Sequence, residues 1–135
     1  MDSLRHFYGV IFVRRGPYTN GIFKFELTLP PRYNDKNMWP QITFTSRVFN
    51  PYVTEATGEL DIQTAYPVWD PSRHYLVPVL TYLKKIFYSK NFSDAKANPE
   101  AKALSETEPE AYRKRVDECV KESQETMYTL SLIHI

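Results

Sequence analysis

The segment Ile22 to Leu29, IFKFELTL, sets Phe23, Phe25, Leu27 and Leu29 on one side and Lys24, Glu26 and Thr28 on the other. Strand side chains point to opposite faces in turn, so the pattern demands a sheet with one buried and one wet face. A helix would scatter the same four apolar residues around its circumference. Turn signals bound the segment: Gly16-Pro17 and Asn20-Gly21 before it, Pro30-Pro31 after it. A β-rich run, Tyr8 to Arg14, precedes the turns. WPQITFTS, Trp39 to Ser46, follows with Ile42 and Phe44 expected inward. Sequential strands joined by short connections predict an antiparallel meander.

The middle of the chain, Arg47 to Arg73, is punctuated by Pro51, Gly58, Pro67 and Pro71 and reads as a long structured loop. Beyond it the period changes. His74 to Lys90 carries Leu76, Val79, Leu80, Leu83, Ile86 and Phe87 at helical spacing, with Lys84 and Lys85 opposite. Pro78 has no N–H to donate, which places the helix start a residue or two before it. NPEAKAL, Asn98 to Leu104, reads as a short helix with an Asn cap and Pro at its first position. A capping box, Thr107 with Glu110, is expected to open a last helix that buries Tyr112, Val116, Cys119 and Val120. Strands, then loop, then helices give an α+β fold.

Length sets the domain count, because 135 residues suffice for one core and not for two. The apolar ending LSLIHI, Leu130 to Ile135, extends no amphipathic pattern. The expected division is a domain over 1–129 and a non-native or disordered tail over 130–135. A net charge of +1 and the short, acid-flanked clusters Arg14-Arg15, Lys84-Lys85 and Arg113-Lys114-Arg115 read as solvated faces, against a nucleic-acid partner. A single cysteine, Cys119, allows no internal disulfide and fits a reducing, cytoplasmic setting. No apolar run approaches the roughly 18 residues of a membrane span, so membrane attachment is expected only through partners.

Four motifs fall in register with a known family. PYTNGIFKFELTLPPRY resembles the hairpin of the ubiquitin-conjugating enzyme (E2) family. VFNPYVTEATGELDI falls where that family has its active-site loop. VWDPSRHYLVPVLTYL resembles the entry to its central helix, and NPEAKAL with YRKRVDECV its two C-terminal helices. The resemblance covers residues 8 to 128 and implies a UBC-like fold whose N-terminal helix and first strand would precede residue 1.

The family's chemistry needs a thiolate that is both nucleophile and leaving group. The resemblance sets Asp61, in Gly58-Glu59-Leu60-Asp61, at the cysteine position. It sets Asn50-Pro51-Tyr52 at the family's His-Pro-Asn turn, with Tyr52 where an oxyanion donor belongs. The intervening loop also runs longer than usual. A carboxylate would form only an acyl anhydride, which water destroys. The implied chain is a conjugating-enzyme variant without catalysis, most similar to the fused-toes (AKT-interacting) group. Such adaptors join Hook-type coiled-coil proteins and an FHIP-type subunit in endosomal and lysosomal vesicle trafficking. Ubiquitin is a further partner if the chain instead resembles variants that assist an active enzyme. No cofactor or metal is expected, and no partner surface is indicated.

Plainer readings stand beside these. Cys119 could be a relocated nucleophile, but its mid-helix place on the apolar stripe favours packing. His6, His74 and His134 have no metal-site spacing, and His74 suits a helix start. Glu59 and Asp61 share a strand face but lack a base or nucleophile nearby. Of Tyr33, Trp39, Tyr52 and Trp69, the tryptophans are expected to pack and Tyr52 to be the exposed contact.

Overall fold

The computed structural model describes residues 6–33 and 35–133, with side chains up to residue 125. Three antiparallel strands, β1 (His6–Phe12), β2 (Ile22–Thr28) and β3 (Gln41–Phe44), form a sheet in the order β1-β2-β3. The alternating segment is the central strand. Its register pairs Tyr8 with Glu26 on one side and Leu27 with Ile42 on the other. Phe23 and Leu27 are buried on the inner face, as their alternation requires. The ladder of β1 ends at Phe12, two residues before the expected Arg14. Val13 instead closes the hairpin, its N–H to Gly21 O and its carbonyl accepting from Asn20 N. Asn20 takes the left-handed conformation (φ 73°) that the turn needs.

Helix α1 (Leu76–Lys85) begins two residues before Pro78, as its missing N–H predicts. Asp70 closes the turn that precedes it: its carbonyl accepts from Arg73 N and His74 N, and its carboxylate accepts from Ser72 N and Ser72 Oγ. These bonds hold the Asp70 carboxyl below its ordinary pKa. The helix buries Val79 and Leu83. Just past its end Phe87 stacks flat on Phe23, with centroids 5.0 Å apart. Trp69 is fully buried among the rings of Tyr33, Tyr66 and His74, and Trp39 packs against the core with its Nε1–H on Tyr66 O.

Helix α2 (Pro99–Thr107) starts as expected, with the Asn98 side chain accepting from Ala101 N at 3.0 Å. Helix α3 (Pro109–Ile133) buries Tyr112, Val116 and Cys119 and is tied to β2 by Ser123 Oγ, which accepts from Ile22 N at 3.0 Å. The expected capping box is not there. Thr107 is the last residue of α2 and its hydroxyl donates to Ala103 O. Pro109 takes the first turn of α3, where its fixed φ is pre-organised, and Glu108 joins the two helices, its N–H on Leu104 O and its carbonyl accepting from Tyr112 N. The side chains of the expected tail, Leu130 to Ile135, lie outside the described residues.

Candidate functional site

The loop between β3 and α1 is anchored by Asn50, a fully buried polar residue. Its Nδ2 donates to Tyr18 Oη at 3.1 Å and to Ile86 O at 3.0 Å, while Oδ1 accepts from Tyr52 N at 2.9 Å. Three of its four hydrogen-bonding positions are therefore used by the fold itself. Tyr18 gives its proton to the Phe49 carbonyl, which leaves Tyr112 Oη, 3.2 Å away, to donate to Tyr18. Burial, followed by the neighbouring Tyr112, pushes the Tyr18 phenol well above its ordinary pKa.

Tyr52 follows Pro51 and is not the exposed contact expected of it. It is 8% exposed, covered by the rings of Tyr82 and Phe92. Its hydroxyl donates to Asp94 Oδ1 at 2.7 Å. That distant carboxylate satisfies the phenol's polar end and lets the ring pack inward. Burial and then the Asp94 bond raise its pKa. A phenol held in this way is a structural donor already committed to a protein acceptor.

Beyond Tyr52 the chain folds back on itself. Val53 pairs with Leu60, Thr43 pairs with Glu59, and Gly58 turns the corner at φ 78°. The return brings Asp61 beside the Pro51 turn: Asp61 N donates to Tyr52 O at 2.9 Å, and Tyr82 Oη donates to Asp61 O at 2.7 Å. The Asp61 carboxylate accepts from Thr64 N at 3.1 Å and from Thr64 Oγ1 at 2.5 Å. So the structure gathers Asn50, Pro51, Tyr52 and Asp61 into one turn-and-return. It directs their polar atoms at the protein's own backbone and side chains. The outer side of the return lines an open cleft of about 470 Å³, with Glu59, Asp61 and Gln63 on one wall and Met38, Trp39 and Lys96 among its other residues.

Cys119 is apart from this arrangement by chemistry as well as by element. It is 1% exposed on α3, and burial pushes its thiol above the ordinary value. A raised pKa removes the thiolate that nucleophilic catalysis needs. His6 Nε2 lies 3.5 Å from Glu26 on the sheet, and His74 Nδ1 accepts from Asp70 N; His134 lies outside the described residues. Among the described residues no three His, Cys, Asp or Glu side chains gather into a metal-capable group.

One cluster escaped the sequence reading. Arg115, expected on a solvated face, has a side chain 27% exposed, and its guanidinium lies 4.1 Å over the Phe49 ring. It pairs with Glu55 and Glu100, and Arg47 pairs with Glu55 and Glu122. The one local signal was its place next to Val116, at the margin of the apolar stripe of α3.

Residues 1–120 match the family model described as "Ubiquitin-conjugating enzyme". Similar proteins include "Protein AKTIP homolog" of Nematostella vectensis, 40% identical over 114 residues, covering 84% of this chain and 38% of that protein. "AKT-interacting protein" of Danio rerio is 36% identical over 114 residues, with the same two shares, 84% and 38%. "Protein crossbronx homolog" of Culex quinquefasciatus is 34% identical over 125 residues, covering 90% of this chain and 54% of that protein. The chain thus spans from 38% to 54% of the lengths of these relatives.

Proposed function

Because this chain belongs to the ubiquitin-conjugating enzyme family, we propose that it is a non-catalytic member, a protein-binding adaptor rather than an enzyme. On this reading it is a cytoplasmic subunit of a complex with a Hook-type coiled-coil protein and an FHIP-type subunit, reaching endosomal and lysosomal membranes through those partners. The observation that carries the proposal is Asp61. The resemblance sets it where the family's thiol would stand, and in the fold its carboxylate accepts from Thr64 N and Oγ1. A carboxylate there can form no thioester, and an anhydride in its place would hydrolyse before an amine reached it. Buried Tyr52, engaged by Asp94, supports the same reading at the oxyanion position. The relatives named for an interaction with AKT support a protein partner as the ligand class.

The test is a charging reaction with activating enzyme, ATP and ubiquitin. The expected result is no reductant-sensitive adduct on this chain. An adduct that vanishes in Cys119→Ser would establish an active enzyme and end the adaptor reading. Mass spectrometry of proteins captured from cytosol should then recover a Hook-type protein.

A second reading, a ubiquitin-binding variant that assists an active conjugating enzyme, is favoured by the cleft that persists beside Asp61. Titration of ubiquitin into isotope-labelled protein decides between the two. Site-specific, sub-millimolar shifts at Glu59, Asp61 and Gln63 would support ubiquitin binding, and an unchanged spectrum would leave the adaptor reading.

A further inference from the structure

Glu55 is the anion on the outer turn of the Val53–Leu60 return. A single one of its oxygens, Oε1, is shared by two guanidiniums, Arg115 Nη2 at 3.5 Å and Arg47 Nη2 at 3.7 Å. Arg47 turns Nη1 to Glu122 Oε2 at 3.6 Å. Arg115 turns Nη1 outward to Glu100 Oε2 at 3.5 Å. On α3, Arg115, Cys119 and Glu122 stand at i, i+4 and i+7, which places them on one helix face. The pairs Arg115–Glu55–Arg47–Glu122 therefore close an arc across that face, from one turn before Cys119 to one turn after it. Cys119 is buried there; burial chiefly sets its thiol, then a bond to the Phe49 backbone, and after these the charges of Arg47, Glu122 and Glu55.

Isolated surface ion pairs contribute little, because water screens them and long side chains resist ordering. This group differs in two respects. Arg115 is held by the Phe49 ring beneath it, and two cations meet at one oxygen. The arc is also the polar tie between the return and α3. On the return's other side, Glu59 and Asp61 line the cleft.

We propose that the Arg47–Glu55–Arg115 arc, completed by Glu122, is an ionic latch that fastens the Val53–Leu60 return to α3 and seals Cys119 beneath it. Closed, it fixes the wall of the cleft. Open, it releases the outer turn around Glu55 and uncovers the thiol, while the Thr43–Glu59 and Val53–Leu60 pairings keep the base of the return on β3. The latch does not depend on which partner the chain binds or on whether the chain is an enzyme.

The native cysteine reports on it directly. An uncharged maleimide is reacted with the protein while NaCl is raised from low concentration to about 1 M, where screening acts within about 3 Å. The expected result is labelling about fivefold faster at high salt, as pairs of this kind are screened. Glu55→Gln should reach that rate at low salt and show no further salt dependence. Glu100→Gln, outside the arc, should label like the parent, and all three proteins should melt within a few degrees of one another. A rate indifferent to salt would overturn the latch. So would a Glu55→Gln rate equal to the parent's at low salt, or equal acceleration by Glu100→Gln. A slowed exchange of the Thr54 and Gly58 amides in the parent relative to Glu55→Gln is expected independently, and equal exchange would count against it.

Discussion

Asn50 shows what a buried amide does when it is fully engaged. Replacing it by alanine removes two donors and an acceptor, leaves Tyr52 N and the Ile86 carbonyl unmatched, and opens a buried space beside Tyr18 and Ile86. Asn50→Ala should cost about 3 kcal/mol, the range for breaking a buried network. Urea denaturation should show a lower midpoint at an unchanged slope. The buried phenols give a second outcome. Tyr18, Tyr52, Tyr82 and Tyr112 all have pKa values raised above the ordinary 10.0, in each case chiefly by burial. At neutral pH they are protonated in the folded and unfolded chain alike and contribute no slope. Above about pH 10 the unfolded chain releases protons that the folded chain keeps, so stability falls as pH rises. Thermal melts between about pH 8 and about pH 11 should show it, with the phenolate absorbance of these four rings appearing as a step together with unfolding, on top of any signal from the exposed Tyr8 and Tyr75. Absence of that step, with all the phenolate signal formed before unfolding, would refute the burial argument.

At the scale of elements, the return between β3 and α1 depends on one glycine. Gly58 holds φ +78°, and a Cβ there would lie 2.2 Å from the Phe44 carbonyl oxygen. That carbonyl belongs to the residue whose N–H donates to Gly58 O at 2.7 Å, so neither side can give way freely. Gly58→Ala should therefore destabilise by about 3 kcal/mol, well beyond an ordinary loop substitution. Calorimetry should register the loss, and a change under about 0.5 kcal/mol would mean the corner is pliable. What could be read from sequence at this scale was local. The alternation in Ile22–Thr28 and the cap at Asn98-Pro99 depend on residues within one turn or one strand, and both formed as expected. Thr107 and Glu110 were misread because two local rules competed, and the proline's fixed φ outweighed the hydroxyl's cap. Tyr52 and Arg115 were illegible for another reason. The acceptor of Tyr52 is Asp94, 42 residues on, and the ring under Arg115 is Phe49. No window along the chain contains both partners. The family resemblance assigned Asn50, Pro51, Tyr52 and Asp61 to site positions; that Asp61 N meets Tyr52 O, and what the side chains bond, depended on the fold.

For the whole molecule, the sheet's outer strand is the surface expected to set behaviour at high concentration. β1 is an edge of the described sheet, and Tyr8 and Phe12 are 75% and 61% exposed on it. An uncapped apolar edge invites pairing with another chain. Tyr8→Lys places a cation opposite Glu26 in the existing register, which adds a cross-strand pair while making the edge unattractive. Light scattering over a concentration series should show less self-association than in the parent, with stability unchanged within about 0.5 kcal/mol. Equal association in both proteins would show that the edge is not the sticky surface.

The Tyr18 hydroxyl, meeting Phe49, Asn50 and Tyr112, also sets an order of events in time. Its bond to Tyr112 spans 94 residues, whereas the β1–β2 hairpin closes over a short turn. Loop-closure entropy delays such distant meetings until nearer ones have formed. On a ribosome the hairpin and the Pro51 turn emerge first, and their central phenol waits for α3 before its last partner arrives. Tyr112→Phe should accordingly speed unfolding and leave refolding almost unaltered, a split that stopped-flow kinetics would resolve. A slowed refolding limb would place α3 in the folding nucleus.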